Sequence, residues 1–145
     1  MSLKDWLKSG WLVEHKTSRQ EISNLLGVAD RDLADCKADG LSADWRMNIS
    51  YNAALQAATA ALAACGYKAS RDSHHYRVIQ SLAYTSGTDT KLIAKFDQFR
   101  KKRNIGGYEQ AGLISDKEAE EMIVLAQHLR EEIYRWMQMN YQELL

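Results

Sequence analysis

From residue 100 the chain reads Arg100, Lys101, Lys102, Arg103 and Asn104, then an isoleucine, two glycines and Tyr108. Guanidinium, carboxamide and phenol at this spacing can hold an anion. Guanidinium offers a planar fork of donors and stays charged when buried, because its pKa lies above about 12. The same residues also make an ordinary helix end. A cation in the last turn suits the helix dipole, the glycines turn the chain through left-handed angles, and a tyrosine packs over the top. Position separates Arg103 from its neighbours. Leu92, Phe96 and Phe99 step by four and three along an apolar stripe, and the next step of four lands on Arg103. Arg100, Lys101 and Lys102 fall off that stripe and are expected to be solvated. Arg103 continues the buried face and needs an acceptor there: a carboxylate, helix carbonyls, a partner chain or a bound anion. The glycine turn could bring Tyr108 back beside Arg103 and Asn104.

The elements that must position these residues are helices. The chain has 145 residues, 46% of them hydrophobic and 26% charged, and contains no proline. That balance belongs to a folded globular chain, and the missing proline leaves helices unbroken. The expected architecture is a single all-α domain, an up-and-down bundle of about five to six helices, with residues 18–137 as the core bundle and residues 1–17 as a helical extension. Leu3, Trp6, Leu7 and Trp11 give the opening segment an apolar side. Ser18 to Glu21 and Ser115 to Glu118 fit the capping box, a reciprocal bonding of side chains to helix-start N–H groups. Ile22, Leu25, Leu26, Ala29, Leu33 and Cys36 follow the first at helical spacing, and Gly40 ends that helix. The alanine-rich run between Ser42 and Gly66 implies close neighbours on several sides and hence a central helix. A fourth helix opens at Asp72 or Ser73, a fifth spans about 89–104, and a long sixth carries Met122, Ala126, Leu129 and Ile133 inward.

With this arrangement in place the chain resembles the HEPN family of small helical bundles. The likeness rests on "RNIGGY", where Arg103 and Asn104 match the family's Arg and polar residue, and Tyr108 stands where an active member has His. It also rests on "RMNISYNAALQAATAALAACGYK", similar to the family's Tyr- and Ala-rich central helix through Arg46, Tyr51, Asn52 and Gly66. The resemblance covers roughly residues 18–137. It implies a homodimer, RNA or nucleotide-phosphate binding in a toxin–antitoxin or defence setting, and an antitoxin-type protein partner. It also implies a metal-independent endoribonuclease chemistry in which Arg103, Asn104 and Tyr108 are the catalytic set. Tyrosine, with a reference pKa near 10, is a poor base at neutral pH, so such activity is expected to be weak. Arg103, Arg46 and Lys102 are the expected phosphate contacts. The alternative is a non-catalytic scaffold or partner-binding module in which Arg103 completes an interface.

Composition and spacing exclude other chemistries. Net charge is zero, so attraction to polyanions must be local. His74 and His75 are adjacent and project about 100° apart on a helix, which does not make a two-His metal site. His15 and His128 have no evident partner in sequence. No phosphate-binding glycine loop, cofactor motif or serine nucleophile motif is present. Asp44 suits either the first turn of the central helix or a supporting position behind Arg103. Cys36 and Cys65 suggest buried thiols in a reducing compartment more than a disulfide. The alanine run is too short to span a membrane and the first residues lack a signal-peptide core, so a cytoplasmic protein is expected.

Overall fold

The computed structural model describes residues 1–105 and 113–145, with side chains described through Arg103 and again from Leu113. Six α-helices occupy these residues: α1 Leu3–Lys8, α2 Arg19–Asp35, α3 Ala43–Ala64, α4 His74–Ser81, α5 Thr90–Ile105 and α6 Asp116–Asn140. The all-α bundle predicted from periodicity is the observed architecture.

Helix α3 is the hub, packed chiefly between α2 and α6, with α4 and α5 on its remaining side. Ser42 starts it by accepting from the Trp45 N–H at 3.2 Å. Ala54, Ala57, Ala58, Ala60 and Ala61 are fully buried. A methyl side chain lets helix axes approach closely, so alanines on several faces are what a surrounded helix needs. Gly66 follows with φ +95, the left-handed turn that a side chain resists, and redirects the chain out of the helix.

One feature differs from the sequence-based expectation at the amino-terminal side. Residues Leu12–Glu14 form a strand, β1, that pairs antiparallel with β2, Tyr67–Ala69; Leu12 lies opposite Ala69 and Glu14 opposite Tyr67. Strands of three residues carry too little alternation to register as a period of two. Trp6 and Leu12 are buried within the core cluster. Trp6 packs edge-on against Trp11 at 5.7 Å and Tyr84 at 5.4 Å. The Arg77 guanidinium lies 3.6 Å from the Trp11 ring centre.

The two capping boxes differ in outcome. Ser115 and Glu118 bond reciprocally. Ser18 accepts from the Glu21 N–H, but the Glu21 carboxylate turns instead to His15 at 2.7 Å and to the Thr17 hydroxyl at 2.7 Å. Helix α2 ends at Asp35 with Cys36 as its cap, ahead of the expected stop at Gly40. Among the described residues no helix is long and apolar enough to cross a membrane.

Candidate functional site

Helix α5 buries Ile93, Phe96 and Phe99 against the core. One step further along this face Arg103 is half-buried, as the stripe predicts. Its Nε donates to Asn48 Oδ1 at 3.1 Å. The Asn48 amide is oriented from its other end, where Nδ2 donates to the Asp44 carbonyl at 2.9 Å. The guanidinium also lies 5.0 Å from the ring centre of Tyr51, one further turn along α3. Such a cation–ring contact suits a guanidinium, which sheds water more readily than an ammonium.

Tyr51 is the pivot of the site. It is fully buried, its ring edge meets Phe96 at 5.4 Å, and its hydroxyl lies 3.3 Å from His75 Nδ1 on α4. Burial pushes its phenol up to about 12, outweighing the opposing pull of Arg103 and Arg100. Tyr51 is therefore a neutral hydrogen-bonding group at physiological pH. His75 is shifted in the other sense: burial first, then the charges of Arg103, His74 and Arg100, hold its pKa below 6.5. The site thus presents the Arg103 cation, with Arg100 close by, and a neighbouring imidazole whose uncharged form is favoured.

The other cations of the cluster are committed elsewhere. Arg100 is only 20% exposed, not solvated as its place off the stripe suggested. Its Nε donates to Asp97 at 2.7 Å, and the guanidinium lies 5.3 Å from the Tyr76 ring centre. Asp97 is itself buried on α5, one turn back, and draws the guanidinium in. Lys101 reaches the same carboxylate at 3.7 Å, and Lys102 pairs with Glu118. Arg46 pairs with Asp116 at 2.7 Å and Glu120 at 3.8 Å. Two of the three expected phosphate contacts, Arg46 and Lys102, thus already face carboxylates in the opening turns of α6. Among the described residues Arg103 is paired with no carboxylate.

Of the expected catalytic set, Arg103 is described. Tyr108 and the Asn104 side chain lie outside the described residues. Asn48 and His75 are the members that sequence reasoning missed. Asn48 had a signal in its spacing of three from Tyr51, which sets both on one ridge of α3. His75 had none, because only the packing of α4 beside α3 brings it to Tyr51. Asn52, part of the family likeness, donates instead to Asp32 at 2.7 Å; Asp32, 6% exposed, also accepts from Arg31. His15 and His128 find carboxylate partners in Glu21 and Glu132. Both cysteines are free, and among the described residues no group of three or more His, Cys, Asp or Glu could hold a metal ion. Comparison of the sequence with protein-family models and with curated proteins finds no match.

Proposed function

We propose that this chain binds RNA or a nucleotide through a phosphate seated on Arg103, as a HEPN-like module of a toxin–antitoxin or defence system. The observation that carries the reading is electrostatic. Arg103 is half-buried, held by the neutral Asn48 amide and the neutral Tyr51 ring, with no carboxylate partner among the described residues. A partly desolvated guanidinium favours an anion, and phosphate matches its fork of donors. The biological setting comes from the family resemblance, as does a symmetric homodimer that places two such seats near a shared cleft.

His75 favours a second, chemical reading: weak metal-independent cleavage of RNA. A neutral imidazole at the edge of a phosphate seat is the group best suited to proton transfer near neutrality. The competing class is a partner-binding scaffold in which Arg103 meets a protein carboxylate.

Titration of purified protein with defined RNAs over a range of salt separates the classes. Phosphate contact makes affinity fall with rising salt, and Arg103→Ala weakens that binding. Arg103→Lys keeps the charge but loses the fork and binds more weakly than wild type. Chelator-resistant cleavage that disappears in Arg103→Ala supports the enzyme. RNA affinity unchanged by Arg103→Ala overturns the phosphate seat, and a monomer by light scattering at tens of micromolar overturns the dimer.

A further inference from the structure

The tryptophans of this chain are not alike. Trp6 and Trp11 pack on each other and Trp136 packs on Tyr141 at 5.2 Å. Trp45 is 62% exposed, and its ring has no partner among the described residues. This is an unusual setting for the side chain with most to gain from burial. It sits, moreover, in the first turn of α3, the helix most enclosed by the rest of the molecule.

Its place on that helix is informative. Trp45, Asn48 and Tyr51 follow one another at steps of three and form one ridge. Asn48 holds Arg103 and Tyr51 lies under it, so Trp45 stands three residues, about 4.5 Å of helical rise, from the seat's first residue. Helical side chains lean toward the amino terminus, which carries the indole outward from Asn48 along the ridge. The next residue, Arg46, is drawn to Asp116 and Glu120.

We infer that Trp45 is a stacking platform for a nucleobase, and that the ligand of this site is a single-stranded polynucleotide held by one phosphate on Arg103 and one base on Trp45. The inference rests on the phosphate reading and narrows it. Free phosphate or a duplex with its bases paired inside satisfies Arg103 but leaves Trp45 bare. An unstacked base satisfies both, because every base has a flat face for an aromatic ring regardless of its identity. Recognition is accordingly tolerant of sequence and selective for single strands.

The test uses the full chain, a fluorescein-labelled RNA oligonucleotide, and an abasic oligonucleotide with the same number of phosphates. Wild type is expected to bind the RNA about tenfold more tightly than the abasic chain, the usual effect of one stacked base. Trp45→Ala removes that difference while keeping abasic affinity; Trp45→Phe restores most of it; Arg103→Ala weakens both ligands. The indole is exposed, so these variants should fold, and melting curves verify this. Equal affinity of wild type for both ligands, or full RNA affinity in Trp45→Ala, overturns the platform while leaving the phosphate seat standing. Failure of wild type to bind either ligand overturns both readings. A change of oligomeric state in Trp45→Ala, seen by light scattering, assigns the indole to a contact between copies and overturns the inference.

Discussion

Arg100 and Arg103 lie one turn apart on the same helix and differ in what their removal strands. Arg100 neutralises buried Asp97, whereas Arg103 rests on an amide and a ring. Deleting a partner from a fully buried ion pair costs about 3–5 kcal/mol, and Lys101 near Asp97 keeps the loss of Arg100 below that ceiling. Losing one hydrogen bond to a neutral amide and one cation–ring contact costs about 1–2 kcal/mol. Arg103→Ala should therefore be the milder change in urea denaturation, with Arg100→Ala the harsher, the reverse of what a solvated Arg100 would give. His75 supplies a prediction in pH. Its folded pKa lies below 6.5, held there by burial and by Arg103, His74 and Arg100. Between that folded value and 6.5 the unfolded chain binds more protons than the native one. The stability contribution is therefore whole above 6.5 and is lost as pH falls through the window. His75→Gln should flatten the profile just below pH 6.5. The low-held carboxyl of Glu21 acts separately, below its ordinary 4.5.

At the scale of elements, the weak point is the start of α4. Ser73 caps it with φ +53, a left-handed angle unusual for a residue with a side chain, and its hydroxyl makes no capping bond. Ser73→Gly relieves the angle without removing a bond and should stabilise by roughly 0.5–1 kcal/mol, measurable by denaturant midpoint. The contrast between α4 and α6 shows what a sequence declares. Helix α6 is announced by Ser115 and Glu118 at its start and by apolar residues at steps of three and four. These are local features, readable without a partner. The start of α4 near Ser73 was read correctly, but its irregular cap and the turn of His75 toward Tyr51 depend on α3. The ribbon of β1 and β2 exists only through pairing between distant segments. For the site the division is the same: Arg103 was legible from its stripe, and Tyr51 from its place in the family-like helix. Asn48 as its acceptor and Asp97 as Arg100's partner needed the third dimension.

For the molecule as a whole, α3 sets the spacing of everything around it. Ala61 is fully buried, and adding bulk there forces neighbouring helices apart. Ala61→Leu should cost about 1–3 kcal/mol in a thermal or urea melt although it adds apolar surface, because close approach matters more than hydrophobicity at this position.

The ribbon near the amino terminus bears on the order in which the chain assembles. Leu12 meets Ala69 only after the chain has run through all of α2 and α3. Closing so long a loop forfeits much of the chain's freedom, and three paired residues return little against that loss. The two strands gain a fixed separation once α2 and α3 have docked, so the ribbon is expected to close late. On that order Trp6 and Leu12 would take their buried places over helices already docked. Amide protons of the ribbon would trade with solvent while those of α3 stay protected, and a pull on the first residues would release this segment before it disturbed the helices that hold Arg103.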